Sequence, residues 1–473
     1  MKSSLFLRIS PLVAALALAG CVSYSGITPH STAASNTDLS LSSATIQWPS
    51  EQWWNVYNDA VLSDLITQAL AKNPSIKLAQ ARLERVAAMA QAVDAGTLPE
   101  VGVGLSMTPE HFTENGLYPP PFAGNIYSTN LLMVNAKYEF DFWGKNRAAL
   151  DSALSTEKAA KAELQSAHLL IAASVAKSYF SLAHFSEQKK VLEMTLAQRE
   201  ELLNVSQQRL AAGLDTQQEL HISKEGLPAI RAEIIKLDEQ ISLSRNALAA
   251  LIGKGPEATL QVVASFPTDI NMNMPDSIPA NLIGRRADIS AARARVDAAN
   301  KQIAVAKTEF YPNINLTAFA GFSSLGFSHW LDGSSRDYGV GPAISLPIFD
   351  GGRLRANLSS KDAEYDIALE SYNQTLIEAV HDIADQISSL RSLAQQQKQQ
   401  AELQHNAESV YELAQQREKA GLVSKVTVLN AQTAVLTQQS AAIDLKARAL
   451  DLTVNLNRAL GGGFNDQTTA STF

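Results

Sequence analysis

The sequence predicts a mainly helical, internally duplicated chain that also carries transmembrane β-strands. Three observations predict it. One long motif occurs twice: Gln207-Gln208-Arg209-x-x-Ala212-Gly213-Leu214 returns as Gln415-Gln416-Arg417-x-x-Ala420-Gly421-Leu422, with flanking landmarks such as Arg147-Ala148 and Arg355-Ala356 at a similar offset. A repeat of this length is a duplicated half-protein, not a short solenoid unit. Two long proline-free stretches, Gly144 to Leu227 and Ile348 to the C-terminus, are rich in Ala, Gln and Leu, which is a helical composition. Four shorter segments alternate apolar with small or polar residues at a period of two over about ten residues, the pattern of membrane strands.

The elements follow in chain order. Lys2 and Arg8 precede a short apolar run, Leu12 to Ala19, which ends in Leu18-Ala19-Gly20-Cys21. This is a targeting segment, and residues 1–20 are set aside as a lipoprotein signal peptide. Its end resembles a bacterial lipobox, in which the cysteine is acylated and becomes the first residue. That likeness implies a covalent lipid, palmitate included, on Cys21, and Val22 in place of an aspartate implies sorting to the outer membrane. Cys21 is the single cysteine, so an intramolecular disulfide is excluded. Residues 21–58 read as a lipidated N-terminal tether, poorly ordered over the Ser- and Thr-rich 22–47.

The first repeat spans 59–253. It opens with helices at about 59–72 and 75–97. Val101, Val103, Leu105 and Met107 then mark one strand, and Leu132, Val134, Ala136 and Tyr138 a second. A helix from about 145 to 212 would be on the order of 100 Å long. Its apolar residues keep coiled-coil spacing through Val175, Leu182 and Leu196. It ends at Ala212-Gly213-Leu214, where glycine fits the left-handed position after a helix. Thr216 and Glu219 form a capping box for the return helix. Gly226 and Pro228 inside that helix predict a kink or break near 224–228.

Residues 254–279, with four prolines, form the inter-repeat linker. The second repeat, 280–462, opens with helices at about 280–284 and 288–310. Ile314, Leu316, Ala318 and Ala320 mark a third strand, and Tyr338, Val340, Ile344 and Leu346 a fourth. The next long helix places Leu376, Ile383 and Leu390 alternately with Val380, Ile387 and Ala394. It ends at Ala420-Gly421-Leu422, with Ser424 as the matching cap. Residues 463–473 are a C-terminal tail. Four strands cannot close a barrel alone, because their open edges would leave backbone groups unpaired in lipid.

Several chemistries find no support. The chain is mildly acidic, with 39 Lys and Arg against 47 Asp and Glu, scattered without a basic patch, so nucleic acid is not expected. The eight histidines show no metal-ligand spacing, and neither a phosphate loop nor a nucleophile elbow occurs. The reading is therefore of a protein without catalytic residues, metal or cofactor other than the lipid on Cys21.

The lipobox, Trp53-Trp54 followed by Leu62-x-x-Leu65-Ile66-x-x-Ala69-Leu70, Phe310-Tyr311-Pro312, Leu346-Pro347-Ile348-Phe349-Asp350-Gly351-Gly352 and the paired Ala-Gly-Leu turns resemble the TolC-like outer membrane factors, most closely their NodT-type efflux lipoproteins. The resemblance implies a homotrimer in which three chains build one twelve-stranded β-barrel, continued by a long α-helical barrel into the periplasm. It implies a passive exit duct for drugs or other small toxic compounds in the bacterial outer membrane, working with a periplasmic adaptor (membrane fusion) protein and an inner-membrane pump. A duct for type I protein secretion, or a non-channel trimeric coiled-coil lipoprotein, are the alternatives. Gly213, Leu214, Gly421 and Leu422 become the adaptor-docking tips, lying at one end of the molecule. Many relatives carry an acidic residue six places after the second glycine; here that place is Thr427. Constriction charge is therefore expected from Asp215 or Glu219, if Glu219 is more than a helix cap.

Overall fold

The computed structural model describes residues 23–35, 47–268, 282 and 284–466. Cys21, the middle of the tether, the second part of the linker from residue 269 and the last seven residues lie outside them. A buried 3-10 turn at Trp53–Tyr57 leads into α1 (Ala60–Lys72). The first repeat continues with α2 (Pro74–Ala95), β1 (Glu100–His111), β2 (Ile126–Glu139), α3 (Lys145–Ala211) and α4 (Gln217–Leu251). The second has α5 (Ala287–Thr308), β3 (Asn313–Leu325), β4 (Arg336–Ser345), α6 (Arg353–Lys419) and α7 (Lys425–Ala459). The duplication is metric as well as sequential. Both long helices have 67 residues and both return helices 35.

The chain folds into two compact units that cut across the repeats. One contains Leu83–Ala160, Ala292–Tyr372 and the stretch ending at Ala33. The other contains Ala34–Arg82, Lys161–Ala291 and the residues from Asn373 onward.

The first unit holds all four strands in one antiparallel sheet of order β1-β2-β3-β4. The register lines up Val103, Val134, Ala320 and Tyr338 across the sheet, and Val101, Ala136, Ala318 and Val340 beside them. Side chains alternate between faces along a strand, so these rows make one apolar face. Gly102, Asn135, Phe319 and Gly339 belong to the other. Beside the sheet α3 and α5 touch: Ser152 Oγ donates to the Ala298 carbonyl at 3.0 Å, and Lys301 pairs with Asp151 at 2.9 Å.

The loose tether expected over 22–47 is not what residues 23–35 form. Tyr24 and Ile27 pack on Ile303, Ala306, Leu358 and Tyr365. Arg355 donates to the Ser23 carbonyl, and Asp366 accepts the backbone N–H groups of His30 and Ser31 at 2.9–3.2 Å. An extended segment without a sheet partner is held here because side chains of α6 satisfy its backbone.

The second unit has the main core. Trp53, Trp54, Leu62, Ile66 and Ala69 pack on Ala172, Val175, Tyr179 and Leu182 of α3, with Leu248 of α4 and Leu450 and Val454 of α7. Asp59 caps α1 through the Val61 and Leu62 amides while accepting the Tyr179 hydroxyl at 2.6 Å. The α6 seam is buried at Leu376, Val380, Ile383, Ile387 and Leu390, then shifts to Leu393 while Ala394 is exposed. Leucine has far more apolar surface to bury than alanine, so it captures the seam where the heptad drifts.

Of the kink or break expected near 224–228, the break does not occur. α4 runs unbroken through Pro228. Proline removes one hydrogen bond, and the unpaired carbonyl belongs to Lys224, an exposed residue whose backbone water can reach. Thirty-five residues packed in a hairpin tolerate that loss.

Candidate docking tips and membrane sheet

The turns at the two hairpin ends are built alike. Gly213 has φ 69° and Gly421 φ 72°, in the left-handed region. The Leu214 N–H reaches back to the Arg209 carbonyl at 2.8 Å, and the Leu422 N–H to that of Arg417 at 2.8 Å. This six-to-one bond closes a helix end with a Schellman turn, and it needs the left-handed residue that glycine supplies without strain. The leucine that follows is largely exposed: Leu214 is 66% exposed and Leu422 68%.

Contacts between α3 and α7 set the hairpins side by side. His184 meets Asp444 at 2.7 Å, Gln188 donates to the Ser440 carbonyl at 2.9 Å, and Gln198 donates to the Leu429 carbonyl at 2.8 Å. Residue numbers rise along one helix as they fall along the other. The end of α3 and the start of α7 therefore lie at the same end of this unit, and both turns with them.

The turns differ in charge. In the first, Arg209 grips the Asp215 carboxylate with three bonds of 2.8–3.0 Å. The hydrogen bond from Arg209 and its charge hold Asp215 below the usual carboxylate range. Glu219 closes the capping box: its Oε2 accepts the Thr216 N–H at 2.6 Å, and its own N–H meets Thr216 Oγ1 at 3.4 Å. Both acidic candidates are thus engaged inside the first turn. In the second turn Val423 stands where Asp215 does, and Thr427 where Glu219 does. The cap expected of Ser424 is not made. Its side chain makes no capping bond and lies 3.4 Å from the Thr427 hydroxyl, which lacks the reach of a glutamate.

In the sheet-bearing unit, β1 and β4 pair on one side only, so both outer edges are open. The apolar face is bare as well: Val101, Val103 and Leu105 of β1 and Tyr338, Val340 and Ile344 of β4 are all exposed. Aromatic side chains gather where the strands end. Trp143 stacks on Tyr311 at 4.8 Å and donates to the Pro312 carbonyl at 2.8 Å. Phe112 meets Tyr118 and Tyr127 at the opposite end. A bare apolar sheet with aromatic ends is built for lipid. Among the described residues, no helix is long and apolar enough to cross a membrane, and no cluster of His, Cys, Asp and Glu could hold a metal ion.

An open membrane sheet joined to two long helical hairpins is the fold of an outer-membrane channel subunit. The sequence profile of the outer membrane efflux protein family matches residues 65–254 and 278–462, one stretch per repeat. The chain belongs to that family. It is 30% identical over 442 residues to the multidrug resistance outer membrane protein MdtQ of Escherichia coli O6:H1, covering 92% of each chain. It is 34% identical to the fusaric acid resistance protein FusA of Burkholderia cepacia, covering 76% of this chain and 69% of that one. The crystal structure of the outer membrane protein VceC from Vibrio cholerae superposes with a TM-score of 0.81 at 36% identity, covering 88% of this chain and all of that one. The protein is an outer-membrane efflux duct, a β-barrel continued by an α-helical barrel, and not an enzyme. Members of the family are trimeric channels that work with adaptor and pump partners.

Proposed function

We propose that three copies of this chain close one twelve-stranded barrel, and that the duct serves export of drugs or other small toxic compounds by a pump in the inner membrane. The observation that carries the assembly is the pair of open edges on β1 and β4 beside a bare apolar face. In lipid such edges need partners, and β1 of one copy against β4 of the next supplies them. The substrate class rests on the names of the relatives MdtQ and FusA, which concern drug and fusaric acid resistance. They favour small molecules over secreted proteins as cargo.

The periplasmic adaptor docks on the hairpin turns through Leu214 and Leu422. Asp215 and Glu219 act in this reading as turn-builders rather than as a charged constriction, and Thr427 leaves the second turn uncharged. Cys21 carries the lipid. Palmitate labelling that persists in a Cys21→Ser variant would refute the anchor. Purification of the tagged chain from cross-linked cells tests the whole reading: an adaptor and an inner-membrane pump should come with it. A secretion substrate in their place would favour protein export.

A further inference from the structure

We propose that the N-terminal strap, residues 23–33, is a proton-sensitive latch, and that Asp362 on α6 sets how tightly it is held. Two carboxylates lie one helical turn apart on α6 and so share a face. Asp366 accepts the strap's amides, from His30 at 3.1 and 3.2 Å and from Ser31 at 2.9 Å. Asp362 is only 5% exposed, and neither of its oxygens has a hydrogen-bond partner. The strap is also fastened on the N-terminal side of this point. Arg355 donates to the Ser23 carbonyl, and the Tyr24 and Tyr311 hydroxyls meet at 3.2 Å. A buried carboxylate without a donor is unfavourable when charged and tolerable when protonated. The strap therefore docks beside a group whose charge decides the cost of keeping it buried.

The charged groups facing Asp362 come from each element around it: Lys307 from α5, Asp366 from α6 and His30 from the strap. Burial is the largest influence and raises its pKa; Lys307 and His30 oppose this, and Asp366 adds to it. When the strap lifts, the carboxyl meets water and its ordinary value returns. The docked strap thus binds the proton more tightly than the open one. Docking is firmest where Asp362 is protonated. It weakens as pH climbs from the ordinary carboxylate value, about 3.9, to the raised one. Each pH unit inside that interval loosens the strap about tenfold. Asp366 acts in the opposite sense at lower pH. The Ser31 and His30 amides hold its pKa down, so its grip is complete above the ordinary value and is lost as pH falls through the lowered one.

Hydrogen exchange of the strap amides in the full-length protein in detergent tests the latch, with rates corrected for the intrinsic effect of pH. In the wild type, the peptide covering 24–33 should be several-fold better protected at pH 4.5 than at pH 7.5. Asp362→Asn keeps the shape and removes the charge, so its protection at pH 7.5 should exceed that of the wild type and its step between the two pH values should be several-fold smaller. Asp366→Asn should lower protection at both. Equal wild-type protection at the two pH values overturns the proposal, and that comparison needs no variant. An Asp362→Asn protein that keeps the wild-type step overturns it too.

Discussion

Arg209 closes on Asp215 across the first hairpin turn, with Nε 2.9 and 3.0 Å from the two carboxylate oxygens and Nη2 2.8 Å from one of them. The duplicated turn places Arg417 and Val423 at these positions, so one turn of the two is braced by an ion pair. Around that brace the two turns share the same backbone bonds and the same left-handed glycine.

The brace predicts unequal turns. Asp215→Asn should raise amide exchange at 208–218 to the level of 416–426 and leave the second turn unchanged. The same loss should follow acidification. The folded pKa of Asp215 is lowered, so its contribution is whole above the ordinary carboxylate value and disappears as pH falls through the lowered one. An equal response in both turns would remove the ion pair from this account.

Leu214 and Leu422 are two-thirds exposed directly after the two turns. The proposed trimer would carry six such side chains. Leu214→Ser with Leu422→Ser should abolish adaptor binding and drug resistance while channel yield stays normal. Resistance at the wild-type level would place the docking surface elsewhere.

The two faces of the sheet should respond oppositely to charge. Val103 lies on the apolar face in the row of Val134 and Ala320, and Asn135 lies on the other. Val103→Arg near the bilayer midplane should cost about 2–4 kcal/mol and reduce insertion into vesicles. Asn135→Arg should insert normally and alter ion selectivity. Equal insertion of both would mean that the apolar face is not the lipid face.

Much of this was legible in the sequence. Period two placed the strands, because a sheet facing lipid on one side must alternate. The glycines placed the turns, because only they sit at positive φ without strain. Side-chain partners over long range were not legible. Asp362 reads as one more polar residue of a long helix, and the strap as a polar tether, until α6 brings them together. Arg286-Ala287-Asp288 reads only as a helix start. In the structure the Arg286 guanidinium donates to the Ala459 carbonyl at 2.9 Å and to Asp288 at 2.6 and 3.0 Å, with Asp382 3.6 Å away. Asn73 does the same work in the first repeat, donating to the Leu251 carbonyl at 2.8 Å. The duplication preserved the clasp and changed the residue, so sequence comparison of the repeats passes over it.

That clasp predicts a graded loss. Arg286→Ala leaves Asp382 with Arg458 alone and the Ala459 carbonyl without its side-chain donor, at about 2–3 kcal/mol. Asn73→Ala should cost about 1–2 kcal/mol. Urea unfolding of the helical signal in detergent measures both. A smaller loss at Arg286 than at Asn73 would show that the buried ion pair is dispensable.

The central claim is that one chain supplies a third of a barrel. Native mass measurement of the purified protein in detergent tests it most directly. The open edges of β1 and β4 predict a complex of three chains. A stable monomer with its strands intact would contradict the shared barrel.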